Sequence, residues 1–88
     1  HMINITDVRV RLFDTDSKIK AAASITLDSC FVIHELKVIE GKTGLFVIMP
    51  GRKAKDGRFK DLVHPLNTET RACIQNAVLA AYAKERLF

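Results

Sequence analysis

Apolar and polar residues alternate along the first two thirds of the chain. From Ile5 to Phe13, Val8, Val10 and Leu12 alternate with Arg9, Arg11 and Phe13, a period of two that predicts a half-buried strand. Asp14-Thr15-Asp16-Ser17 interrupts it as a turn cluster. From Lys18 to Leu27 the odd positions Ile19, Ala21, Ala23, Ile25 and Leu27 face one way, and Lys18, Lys20, Ser24 and Thr26 face the other. This second strand pairs with the first as a hairpin. The small Ala21, Ala22 and Ala23 allow something to pack closely over the sheet. After Asp28-Ser29 turns the chain, Phe31 to Ile39 reads as a third strand rich in β-branched residues. Gly41 and Gly44 bracket a loop. Leu45-Phe46-Val47-Ile48-Met49 is an unbroken apolar run, the pattern of a strand covered on both faces. Pro50 and Gly51 stop it. The segment that follows reads as a long loop or an extended hairpin tip, with Asp56-Gly57 as the turn signal at its centre. Phe59 to Val63 returns as a short last strand ended by His64-Pro65.

The period then changes. Asn67 or Thr68 can cap a helix, and Glu69 complements its dipole. Ile74, Ala77, Val78, Ala81 and Tyr82 recur at helical spacing to about Lys84. The fold class is therefore α+β: an antiparallel sheet of four to five strands followed by a C-terminal helix, in one domain over residues 1–88. His1 reads as a residue left by expression, with Met2 as the natural start. One helix covers only one face of such a sheet. The other face or an edge is expected to find a partner, and a symmetric dimer through the sheet is the simplest answer.

Composition narrows the class. Hydrophobic residues are 48% and charged residues 27%, values that exclude a disordered polymer. No apolar run approaches the roughly 20 residues of a membrane helix, and no secretory signal opens the chain. Cys30 and Cys73 are too few for a disulfide scaffold and fit no zinc spacing, so a cytoplasmic protein is expected, with association with the nucleoid as an option. Charge is more informative. Gly51–Lys60 holds Arg52, Lys53, Lys55, Arg58 and Lys60 against Asp56, a net +4 that equals the whole chain's excess, so the remainder is neutral. A charge run is usually a solvated loop. Concentration of the entire excess on one loop points instead to an anionic partner, nucleic acid before a membrane surface.

The chemistry of catalysis finds no support. His34 and His64 are the only histidines besides His1. His34 and Glu35 are neighbours on a strand and are expected on opposite faces. His64, held extended by Pro65, is expected to fix the strand-to-helix corner through its ring. Paired carboxylates, a dinucleotide fingerprint and a phosphate loop are absent from the sequence. No catalytic residue, metal, cofactor or small-molecule substrate is expected. The nucleic-acid reading rests on the basic segment, on Phe59 between Arg58 and Lys60, and on the helix start. Core packing is the first expectation for Phe59, and stacking on a base the second. Thr68, Arg71 and Gln75 lie on one flank of a helix N-terminus whose free N–H groups attract phosphate, although capping and solvation explain them as well.

Several blocks together resemble the SpoVG septation-protein family. They are Ile5-Thr6-Asp7-Val8-Arg9, Ser24-Ile25-Thr26-Leu27-Asp28, Phe31-Val32-Ile33-His34, Gly44-Leu45-Phe46-Val47-Ile48-Met49-Pro50, Asp56-Gly57-Arg58-Phe59-Lys60-Asp61, His64-Pro65-Leu66-Asn67 and Thr70-Arg71. The likeness covers nearly the whole chain in order and spacing. It implies a small bacterial cytoplasmic protein, dimeric through its sheet, with effects on septation, cell division and sporulation. It also implies site-preferring DNA binding, with RNA as a further partner and a role in transcription regulation. The contacts it implies are Arg52, Lys53, Lys55, Arg58 and Lys60, then the helix start with Thr68, Glu69, Thr70, Arg71, Ala72 and Cys73. Gly51 stands where the family often has Ser, and Cys73 where a basic residue is common, which removes one phosphate contact. Relatives often continue into an acidic tail, so autoinhibition by such a tail is not expected here. A protein-interaction module of the division or sporulation machinery is the alternative. A metal enzyme using His34, His64 and an Asp is a third, weaker reading.

Overall fold

The computed structural model describes residues 2–87; the reading of His1 as a remnant of expression lies outside them. β1 (Ile5–Leu12), β2 (Ile19–Leu27), β3 (Phe31–Gly41) and β4 (Gly44–Ile48) form one antiparallel sheet in the order β1-β2-β3-β4. β5 (Gly51–Lys53) and β6 (Phe59–Asp61) form a separate two-stranded hairpin, and α1 (Thr68–Glu85) closes the chain. The α+β expectation holds. The last strand ends at Asp61 rather than Val63, because Leu62 and Val63 turn both their N–H groups to the Pro50 carbonyl.

α1 lies across one face of the sheet. Its Ile74, Val78 and Tyr82, spaced by four, are buried against Ala21, Ala23 and Ile25 of β2, Leu36 and Val38 of β3, and Val47 and Met49. Ala21 and Ala23 allow this approach, since a larger side chain on the central strand would lift the helix off the sheet. Ala22 points to the other face, in a row with Arg11, Lys37 and Ile48. Among the described residues no element covers that outer face. Phe46 keeps 39% of its surface exposed, and Ile39, paired with it, is half-buried. The unbroken apolar run therefore buries one face in the single chain, with Val47 and Met49 inward and Phe46 outward.

Strict alternation fails at three places. The register slips once on β1 beside Thr6, once on β2 beside Lys20 and once on β3 beside Glu35. Each is a β-bulge, with one residue more on one strand than on its partner. Thr6 uses its bulge to hold the β2–β3 turn: its hydroxyl accepts from the Ser29 N–H (2.9 Å) and donates to the Thr26 carbonyl (3.3 Å). Asp28 and Ser29 have φ of 52° and 55°, the left-handed pair of a tight turn closed by the Cys30 N–H on the Leu27 carbonyl (3.0 Å), within a three-residue connection between Leu27 and Phe31. Glu35 is the more expensive case. Its φ is 67°, in the middle of a strand, where β3 loses β4 as a neighbour. An exposed non-glycine residue there carries a backbone cost of about 1 kcal/mol, offset weakly by a solvent-screened contact to Lys37 (3.7 Å). Glu35→Gly should raise unfolding free energy by roughly 0.5–1 kcal/mol, read as a higher urea midpoint at unchanged m. A lower midpoint would mean that the carboxylate, not the backbone, decides this position.

The bulge also changes the relation of His34 and Glu35. They do not diverge to opposite faces as strand neighbours should. Both line a shallow hollow of about 210 Å³ on the outer face, with Arg9, Arg11 and Ser24. Among the described residues no group of His, Cys, Asp and Glu is arranged to hold a metal ion.

Candidate nucleic-acid interface

Of the two expected forms, a long loop or an extended hairpin, the basic segment takes the second and stands as an arm. Arg52 pairs with Lys60 and Lys53 with Phe59 across β5 and β6. The tip closes through Gly57 N–H to the Ala54 carbonyl (3.0 Å) and Ala54 N–H to the Arg58 carbonyl (2.7 Å). Gly57 takes φ 86°, which only glycine adopts without strain, and Asp56 accepts the Arg58 N–H through its carboxylate (3.0 Å). Asp-Gly at this point is thus the chemistry of a three-residue hairpin turn. Among the described residues the arm packs against no other strand or helix. Arg52, Lys53, Lys55, Arg58 and Lys60 are all exposed.

Strand alternation divides these bases. Arg52, Arg58 and Lys60 share one face of the arm, and Lys53 shares the other with Phe59, Gly51 and Asp61. Lys55 sits at the tip. Among the described residues the arm has one ion pair, Arg58 to Asp56, long at 4.0 Å and exposed on both sides. The positive charge is therefore largely uncompensated and free to meet an anion. Phe59 corrects an expectation: it is not in the core. It is 53% exposed, because the arm stands off the body and offers no core to enter.

The helix start is a separate feature. Asn67 is the N-cap, and its side chain accepts the Thr70 N–H at 2.8 Å. Thr68 and Arg71 are exposed. Thr70 is half-buried and turns to an apolar hollow of about 150 Å³ lined also by Ile25, Leu36, Val63 and Ile74. Gln75 is committed elsewhere: its Oε1 accepts the Val47 N–H (3.4 Å) and so covers part of the free edge of β4. Cys73 is half-buried and Cys30 exposed, both as free thiols. His64 is exposed, and its Nδ1 lies 3.2 Å from the carbonyl of its neighbour Pro65. The structure thus gathers the five basic candidates, Arg52, Lys53, Lys55, Arg58 and Lys60, on the arm. It leaves Thr68, Thr70 and Arg71 at the far end of the irregular segment 62–67, with no packing between α1 and the arm.

A four-stranded antiparallel sheet backed by one helix, with a basic two-stranded arm standing off the body, defines a small α+β protein built to present a cationic projection. The family model for SpoVG matches residues 3–84. The chain is 55% identical over 82 residues to "Putative septation protein SpoVG" of Clostridium perfringens, covering 93% of this chain and 91% of that protein. It is likewise 55% identical to the protein of that name from Clostridium acetobutylicum, over 93% and 86% of the two chains. Against that of Acetivibrio thermocellus it is 54% identical, over 91% and 85%. The chain belongs to the SpoVG family. No helix among the described residues is long and apolar enough to cross a membrane.

Proposed function

We propose that this protein is a non-catalytic, cytoplasmic nucleic-acid-binding regulator acting in septation and sporulation-type programmes, with DNA as its first partner and RNA as its second. The septation role rests on the names its relatives carry. The nucleic-acid role rests on one observation: the chain's whole excess charge lies on an arm that serves no packing purpose. Cationic side chains there can follow phosphates without disturbing the core. The exposed Thr68 and Arg71, beside free N–H groups of the helix start, supply a second point of contact and the means to prefer one sequence.

The working unit is a homodimer. The uncovered outer face offers Ile39, Phe46 and Ile48 beside the free edge of β4, and a second copy buries both. Two arms then carry ten bases. If roughly half reach one duplex, about five or six phosphates are contacted and the log–log salt slope is near −5. Titration of mixed-sequence duplex at several salt concentrations is the test. Binding that is micromolar or weaker at physiological salt, and far tighter at low salt, is the expected result. No binding at low salt would leave the alternative, a module that meets an acidic protein. Sedimentation should give twice the 9.9 kDa chain mass at micromolar concentration; a single-chain mass would remove the dimer.

A further inference from the structure

We infer that Phe59, lying over Gly51, is a stacking platform for an unpaired nucleobase. The inference rests on the nucleic-acid reading above and adds to it a ligand class, single-stranded nucleic acid. The ring is 53% exposed on an arm that packs against no other strand or helix among the described residues, so it has no structural duty in the core. Its position is nevertheless set. A methyl group at Gly51 would come within 2.7 Å of the ring and would collide with the Lys60 carbonyl. The glycine therefore gives the ring room to approach the backbone at Cε2 and Cζ, while 53% of the residue's surface stays exposed.

The surroundings of the ring specify what it meets. Lys53 lies directly opposite Phe59 in the ladder and on the same face of the arm. Arg58 and Lys60 flank it in sequence and project to the other face. An aromatic face bordered by cations is the arrangement that holds a base by stacking while its backbone phosphates lie along the basic side chains. Asp61 is on the ring's face as well, beyond Gly51, and repels phosphate there. The strand must accordingly run its phosphates along the Lys53 side and over the tip at Lys55. A duplex cannot use the ring, since its bases are already stacked on one another. It can use only the opposite face, where Arg52, Arg58 and Lys60 stand together without an aromatic residue. The arm thus has one face for phosphate alone and one for an unpaired base.

The test uses the whole chain and three ligands of one sequence: an unstructured DNA strand, the same strand as RNA, each carrying 2-aminopurine, and the DNA duplex. Wild type should quench 2-aminopurine in the single strands on binding. Phe59→Leu should lose about ten-fold in single-strand affinity, together with the quench, and change duplex affinity by less than two-fold. Phe59→Trp should keep both. Circular dichroism of each variant confirms folding. Loss in both single-strand arms assigns the base alone as the ligand, and loss in one arm assigns DNA or RNA as its source. Unchanged single-strand affinity and quench in Phe59→Leu, with duplex binding intact, overturns the platform and leaves the nucleic-acid reading standing. If wild type binds none of the three ligands at low salt, the nucleic-acid reading fails and the platform fails with it.

Discussion

Replacing Arg52, Lys53 and Lys55 by alanine should weaken binding to every nucleic acid by about a hundred-fold or more near physiological salt and flatten the log–log salt slope by about three. In a dimer six bases are removed, of which roughly half reach phosphate. Each lost contact returns about one condensed counterion to the nucleic acid, and that release is the main source of affinity. Fold should survive. All three side chains are exposed, and none takes part in an ion pair among the described residues. Arg9→Ala with Arg11→Ala is the matched control. Those arginines also lie exposed on a strand, but Arg9 holds Asp7 at 3.0 Å and Arg11 stacks over Phe13 at 5.3 Å, so their charge is partly engaged. The control should shift affinity only slightly. Exchange of Thr68 and Arg71 should change which sequence is preferred more than how steeply binding depends on salt, because phosphate contacts carry no sequence information. An unchanged slope in the triple variant would move the binding surface off the arm.

The elements of this fold were legible because each carries its own local reason. Asp-Gly at the arm tip, the turn cluster at Asp14–Ser17 and the cap at Asn67 are chemical necessities of their positions, and all three stand where the pattern places them. Alternation identified the strands but not the bulges. The bulges leave a trace in the sequence: inward Ile5 and Val8 are three apart, as are Ile33 and Leu36, where an unbroken strand would space them by two or four. A period of two read strictly passes over that irregularity. It therefore sends His34 and Glu35 to opposite faces when they line one hollow.

The candidate site was legible in its charge and, through Asp56-Gly57, in its turn, while a long loop and an extended hairpin both remained open. Five bases in ten residues are visible in any reading of the chain. Whether they form a loop on the body or an arm beyond it depends on where β4 ends and whether β5 finds a partner other than β6, which is a tertiary matter. Phe59 illustrates the difference. Its alternation with Arg58 and Lys60 predicts a buried face, and that face exists only if a core lies beneath it. Gln75 shows the converse. A polar helix residue near a cationic patch invites a binding role, yet its amide is occupied by the Val47 N–H of an edge strand that has no other donor or acceptor to meet there.

The largest effect on stability is expected from Leu36→Ala. Leu36 is 0% exposed, on β3, between Ala23 of β2 and the helix that covers both. Truncation removes apolar contact and leaves a void. How much that costs depends on whether neighbours can close in. Here they cannot do so readily. Leu36 already borders the apolar hollow of about 150 Å³ under the helix start, so the new space joins an existing one. Its neighbour across the ladder is Ala23, which is too short to fill it. The cost should therefore sit toward the upper part of the usual range, about 3–5 kcal/mol. A domain of this length has a total stability of about 5–10 kcal/mol, so roughly half is lost, with a fall in Tm of about 15–30 °C. Leu66→Ala is the comparison. Leu66 is 91% exposed, and its truncation should change stability by less than about 0.5 kcal/mol. Both should be measured by urea and thermal unfolding over a range of protein concentrations, since a dimer makes the midpoint concentration-dependent. A loss below about 1 kcal/mol in Leu36→Ala would show that helix and sheet move together over the gap, and that the hollow is a flexible seam instead of a fixed void.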